Sequence, residues 1–163
     1  MYDNQPIILK PIGIIHTPFT TKDDMPIQPS GAKGIKGTLI LNEAFIEGLA
    51  NLGDFSHIFL IYVFHKVESI NLKVTPFLDN SPKGIFATRA PTRPNPIGLS
   101  VVRLNGIEKN ILYLENVDML DGTPVLDIKP YIPDFDQPND VRTGWLSNQS
   151  NKARNTRSDD RFS

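Results

Sequence analysis

At 163 residues and a formal net charge of −1, the chain has the length of a single domain and no global basic field, so a local patch must hold any polyanion. A content of 39% hydrophobic and 21% charged residues reads as an ordinary soluble globular protein rather than a disordered or membrane chain. The lack of cysteine removes disulfides, thiolate metal sites and cysteine nucleophiles, and it fits a reducing, cytoplasmic setting.

The opening "MYDNQPIILKPIG" lacks a basic leader followed by a long apolar run, so no secretory signal is expected. The longest apolar run, Ile58 to Phe64, is too short to cross a bilayer, and no membrane association is expected. Short runs of β-branched and aromatic residues, broken by Gly, Pro, Asn and Asp, predict a mainly β chain. The strands fall over Ile7–His16, Gly34–Leu41, His57–Phe64, Leu72–Phe77, Gly84–Arg89, Leu99–Glu108, Ile111–Asp118 and Val125–Tyr131. Their close spacing favours an antiparallel barrel or sandwich over a doubly wound sheet. The one predicted helix is short, Asn42 to Leu52, with Asn42 as its cap and Phe45, Leu49 and Leu52 on one face.

Gly31, Gly34 and Gly37 are not a nucleotide-binding loop, because no strand leads in, no helix follows and no Lys-Ser/Thr pair is present. A Rossmann-type cofactor site is excluded by the same argument. His16, His57 and His65 show no metal-ligand spacing, so no metal is expected. His65 stands out because it ends the most apolar strand and precedes Lys66, placing a polar pair where the chain leaves the core.

The stretch "RAPTRPNPIG", Arg89 to Gly98, packs three prolines and two arginines into a connection between strands. Each proline fixes its own φ and pushes Ala90, Arg93 and Asn95 towards extended backbone, so the loop loses little entropy on receiving a ligand. Arg89 and Arg93 offer planar forks for carboxylate, phosphate or stacked rings, and Asn95 can read an adenine edge. A stiff corner with arginines in surface ion pairs accounts for these residues equally well. Further on, Asp121-Gly122 is a turn signal leading into a strand on which Asp127 and Lys129 share a face, a pattern that suits solvated surface more than catalysis. A domain over 1–146 is thus expected, followed by a polar, flexible tail over 147–163. Lys152, Arg154, Arg157 and Arg161 in that tail can touch phosphates, although a solvated role suits them better.

Four segments carry a resemblance: "IGIIHTPF" (Ile12 to Phe19), "FSHIFLIYVFH" (Phe55 to His65), "GIFATRAPTRPNPIGLSVVRL" (Gly84 to Leu104) and "DMLDGTPVLDIKPYIP" (Asp118 to Pro133). Together, in this order, they resemble the TsaA-like family of TrmO-type tRNA methyltransferases, over most of Ile7 to Trp145. The resemblance implies a small antiparallel β-barrel that binds S-adenosylmethionine without a Rossmann domain, as a homodimer with the cofactor near the subunit interface. It also implies methyl transfer to N6 of N6-threonylcarbamoyladenosine beside the anticodon of tRNA.

Carried over by position, the resemblance places cofactor contacts at Pro29, Ser30 and Gly31, at His65 and Lys66, at Arg89, at Leu99, and at Glu115, Asn116, Val117 and Asp118. Arg93, Asn95, Asp127 and Lys129 also match family motif positions and are assigned to the substrate, while Asp118, Asp121 and His65 are candidates for taking up the N6 proton. The resemblance further implies an additional C-terminal domain in many bacterial members, whereas here a short polar tail follows Gly144 to Leu146. That departure bears on the tRNA substrate more than on the cofactor. The alternatives are a noncatalytic RNA-binding barrel and a methyltransferase of the same fold acting on another acceptor.

Overall fold

The computed structural model describes residues 5–22, 25–26 and 31–147. Eight strands occur among them: β1 (Gly13–His16), β2 (Lys36–Leu41), β3 (His57–Val63), β4 (Lys73–Val74), β5 (Lys83–Gly84), β6 (Ile97–Glu108), β7 (Ile111–Glu115) and β8 (Thr123–Pro130). Six of them close into an antiparallel barrel in the order β1-β2-β7-β6-β3-β8, while β4 and β5 form a separate ribbon. The mainly β barrel expected from the sequence is therefore the fold, and closure leaves the six strands without a free edge.

Period-two alternation decides which residues fill the barrel. β3 turns Ile58, Leu60 and Tyr62 inward, and β6 turns Gly98, Ser100, Val102 and Leu104 inward. Ile15, Leu39, Leu112, Leu114 and Val125 complete the core from the other strands. Burying one such aliphatic side chain stabilises by about 1.5–3 kcal/mol, so this shared interior holds together strands that are individually short. β6 spans the whole wall, pairing with β3 through its first half and with β7 through its second, with a bulge at Leu104/Gly106.

The departures from the predicted elements have local causes. The segment after Asn42 is a seven-residue 3-10 helix, Glu43–Leu49, followed by a second 3-10 turn, Leu52–Asp54. Asn42 does cap it, accepting the Ala44 N–H at 3.0 Å, but Phe45 is 47% exposed and only Leu49 and Leu52 reach the core. Asn51 adopts a left-handed φ of 63°, which ends the helical path there. Of the predicted strand Ile7–His16 only Gly13–His16 is paired, and Ile7, Ile8 and Leu9 are exposed.

Between β3 and β6 the chain makes an excursion in place of the strands predicted over Leu72–Phe77 and Gly84–Arg89. Pro76 and Pro82 have no N–H for a ladder, and only the two-residue strands β4 and β5 pair before Ile85–Ala87 turns as a 3-10 helix. Val74, Ile85 and Ala90 give this excursion a small core of its own. A four-residue helix α1 (Pro133–Asp136) and a 3-10 turn Gly144–Leu146 follow the barrel. Apart from Ser147, the tail 147–163 lies outside the described residues, as do Pro29 and Ser30. Among the described residues no helix is long and apolar enough to cross a membrane, and no cluster of His, Asp or Glu could hold a metal.

Candidate functional site

The C-terminal end of β3, the start of β6 and the start of β8 meet at one end of the barrel, where Val63 pairs with Ile97 and Tyr62 with both Gly98 and Val125. A cavity of about 800 Å³ opens there, within the range of small-molecule sites. The barrel supplies its floor through Tyr62 and Ser100, Leu99 borders it from the outer face of β6, and the excursion supplies a wall through Phe77, Phe86 and Arg89. Asp118 and Met119, just after β7, form another side, and Trp145 closes the rim. The Trp145 indole N–H donates to the Ala87 carbonyl at 2.8 Å, tying the segment after α1 to the excursion.

Three of the polar groups in this enclosure engage one another. The Ser100 hydroxyl donates to Asp118 Oδ1 at 2.8 Å and lies 3.1 Å from the Tyr62 hydroxyl. Tyr62 is held edge-on against Phe64 at 5.3 Å and lies across Gly98, where no larger residue fits. Burial pushes the Asp118 carboxyl up to about 6, although the Ser100 hydroxyl and the Arg89 guanidinium favour its charged form. Burial and the neighbouring Asp118 charge push the Tyr62 phenol upward as well, so it stays protonated. Burial and the adjacent Lys66 ammonium lower His65, partly opposed by Asp121, and its Nδ1 lies 3.4 Å from the Thr123 hydroxyl.

Of the residues marked in the sequence, His65, Lys66, Arg89, Arg93, Leu99 and Asp118 line this cavity. They come from three separate segments that only the barrel brings together. Arg93 Nη1 donates to the carbonyl of Thr88 at 2.9 Å and also reaches those of Ala90 at 3.3 Å and Ile85 at 3.4 Å, with its guanidinium 5.8 Å from the Phe86 ring. Its guanidinium therefore shapes the proline-rich loop. Thr92 is fully enclosed in that loop, with its hydroxyl unpaired among the described residues.

The other marked residues stand outside the cavity. Val117 is part of the barrel core, Asn116 takes a left-handed φ of 65° and accepts the Gly34 N–H at 2.9 Å, and Glu115 accepts from Asn105 at 3.2 Å. These three set the path that delivers Asp118. Asp121 sits at the same barrel end but is engaged by the Thr17 N–H at 3.2 Å and His16 Nδ1 at 3.1 Å, and these bonds hold its carboxyl below the usual range. Asp127 and Lys129 form an exposed ion pair at 2.8 Å on the outside of β8. Asn95 borders a smaller, apolar hollow of about 330 Å³ with Ile97 and Leu126. Gly31 opens a short turn before β2.

Sequence reading missed Tyr62, Gly98, Ser100 and Trp145. A signal for two of them is present: in "GLSVVRL" the alternation that turns Val102 and Leu104 inward also turns Gly98 and Ser100 inward, and a serine in that register needs a buried partner.

Residues 14–137 match the tRNA-methyltransferase O N-terminal domain family. The chain is 53% identical over 156 residues to the "Probable S-adenosyl-L-methionine-binding protein" of Pyrococcus abyssi, covering 96% of this chain and 85% of that one. It is 39% identical to the tRNA (adenine(37)-N6)-methyltransferase of Mus musculus, covering 83% of this chain but 33% of the mouse protein. The crystal structure of TrmO from Pseudomonas aeruginosa superposes with a TM-score of 0.73 at 43% identity, over 86% of this chain and 63% of that one. The chain thus spans most of its archaeal relative, about two thirds of the bacterial protein and a third of the mouse enzyme.

Proposed function

We propose, because this chain belongs to the tRNA-methyltransferase O N-terminal domain family, that it transfers a methyl group from S-adenosyl-L-methionine to N6 of an adenosine in tRNA. The observation that carries the reading is the cavity at the barrel end, which joins aromatic walls to the Arg89 guanidinium and the Asp118 carboxylate. Such a lining suits a cofactor with a purine, a carboxylate and two cationic centres. Phe77, Phe86 and Trp145 offer faces to the purine and to a sulfonium, Arg89 offers a fork to the carboxylate, and Asp118 offers a counter-charge to a cation.

S-adenosyl-L-methionine supplies an already activated methyl group, so the protein's part is alignment and handling of a proton. His65, Lys66 and Leu99 complete the enclosure, while Glu115, Asn116 and Val117 act through the placement of Asp118. Gly31, with Pro29 and Ser30, is assigned to the cofactor rim on the family resemblance, and Asn95, Asp127 and Lys129 to the tRNA-facing surface. The acceptor is N6-threonylcarbamoyladenosine beside the anticodon, and the working form is a cytoplasmic homodimer whose second subunit approaches the cavity mouth. Exposed Ile97, Leu99 and Phe86 beside the cavity support that arrangement.

Calorimetry with S-adenosyl-L-methionine, followed by mass spectrometry of nucleosides from tRNA incubated with protein and cofactor, tests this function. A methylated threonylcarbamoyladenosine is expected. Well-folded protein that binds no cofactor would overturn it.

A further inference from the structure

Ser100 is a serine on the inward face of β6, whose deeper inward positions are Val102 and Leu104, and it is 3% exposed. A serine hydroxyl carries one hydrogen and two acceptor sites. Because that hydrogen goes to Asp118 Oδ1 at 2.8 Å, the contact of 3.1 Å with Tyr62 is closed by the tyrosine's own hydrogen. The chain therefore has a direction: Tyr62 O–H donates to Ser100, whose O–H donates to the Asp118 carboxylate. All three residues line the cavity, so an acceptor of protons is held at its floor by two donors in series.

We infer that Tyr62 and Ser100 are positioning residues that hold the Asp118 carboxylate as the acceptor of the proton lost from the substrate nitrogen. This rests on the methyltransferase reading above. The nitrogen lone pair forms the new N–CH3 bond as the methyl–sulfur bond of the sulfonium breaks with its electron pair left on sulfur. The N–H bond then breaks with its pair remaining on nitrogen, and the proton forms an O–H bond on Asp118 before passing to solvent. With Asp118 protonated, the chain can reverse, Asp118 donating to Ser100 and Ser100 to Tyr62, so neither buried hydroxyl is left unpaired in either state.

The surroundings favour Asp118 over Asp121. Asp121 is tied to Thr17 and His16 outside the cavity and held in its charged form. The charged and titratable groups facing the cavity with Asp118 are Tyr62, His65 and Lys66 from β3 and its exit, Arg89 and Arg93 from the excursion, and Lys22 from the segment after β1. Of these, Arg89 favours the Asp118 anion, while burial opposes it more strongly and brings the carboxyl to about 6, where a base is effective near neutral pH.

The test uses the full chain with Ser100→Ala, Tyr62→Phe and Asp118→Asn. In cofactor-free protein, a carbon-13 NMR titration of the Asp118 carboxyl should show its midpoint moving upward by about one unit in Ser100→Ala, the value of one lost hydrogen bond to a charge. A smaller upward move is expected in Tyr62→Phe, which serves alone if Ser100→Ala does not fold. An unmoved or lowered midpoint in both variants overturns the relay. In methyl transfer, Ser100→Ala should keep cofactor affinity within about threefold while the acid limb of its rate profile moves to higher pH, and Asp118→Asn should lose about 100-fold or more in turnover. Full turnover in Asp118→Asn overturns the assignment. Wild-type protein without cofactor binding or transfer would instead sink the parent reading, leaving the NMR shift as an independent result.

Discussion

Replacing Gly98 with alanine adds one methyl group at the most crowded point of the site. A Cβ there would lie 2.3 Å from two ring carbons of Tyr62 and 2.8 Å from its hydroxyl. Gly98 does not need a positive φ, so its requirement is space rather than backbone freedom. An alanine in a strand ordinarily gains about 0.5–1 kcal/mol over glycine, and the substitution is destabilising only if the clash exceeds that gain. It should, because the Tyr62 ring is buried, braced against Phe64 and hydrogen-bonded to Ser100, and cannot swing aside without losing those contacts. Overpacking of this kind costs about 1–3 kcal/mol, and a stranded buried hydroxyl adds about 1–3 kcal/mol. The net expectation is a loss of about 1–5 kcal/mol, a fall in Tm of roughly 2–20 °C for a domain of this size. Urea unfolding followed by Trp145 fluorescence measures it, with Gly98→Ala/Tyr62→Leu as the double variant that should recover much of the loss. An unfolding midpoint for Gly98→Ala equal to wild type would refute the claim that Tyr62 is fixed by its neighbours.

Arg89→Ala should weaken S-adenosyl-L-methionine binding by about 1.5–3 kcal/mol in calorimetry if the guanidinium holds the carboxylate, whereas Arg93→Ala should chiefly lower Tm by loosening the loop carbonyls it gathers. Because the Asp118 pKa is raised in the folded state, its stabilising effect is complete below the unfolded value near 3.8 and lost as pH rises through about 6. Asp118→Asn should therefore be more stable than wild type at pH 8, by on the order of 1–3 kcal/mol, and nearly equal at pH 3.5; a variant less stable at pH 8 would contradict the buried charge. The Asp121 carboxyl is depressed, so its stabilisation is present above the unfolded value and lost as pH falls, and Asp121→Asn should cost less than about 1 kcal/mol at pH 7, given its exposure, and nothing at low pH. Trp145→Phe should lose about 0.5–1.5 kcal/mol through the missing bond to Ala87, read as a drop in Tm.

The barrel was legible because its strands obey one simple rule. β3 and β6 alternate strictly, and a chain whose inward positions read Ile58, Leu60, Val102 and Leu104 has little choice of face. The excursion was not legible, because "LKVTPF" and "GIFATR" have strand composition but are stopped from long pairing by prolines beside them and by a small apolar core of Val74, Ile85 and Ala90. His65 and Arg89 stand out by position and chemistry and Asp118 by resemblance, and the topology draws the three to one cavity. Arg93 shows the limit of composition: the same guanidinium that suits a phosphate is here turned onto loop carbonyls, which no property of the single residue distinguishes.

The position of the cavity follows from how the barrel ends. At this end β3, β6 and β8 stop pairing, so inward positions that would hold aliphatic residues deeper in the wall can carry a hydroxyl, a phenol and, just beyond β7, a carboxylate. Each of these groups destabilises the free protein relative to an apolar filling and is tolerated because the next one satisfies it. Gly98 is what lets the phenol lie flat enough to reach Ser100, and the proline-rich loop, cross-tied by Arg93, supplies a wall that need not order itself when a ligand enters. A rigid loop over a polar floor at a barrel end is thus one arrangement with two demands. Relieving the charge at Asp118 should raise stability and remove function together, and that coupling separates a built site from an accident of packing.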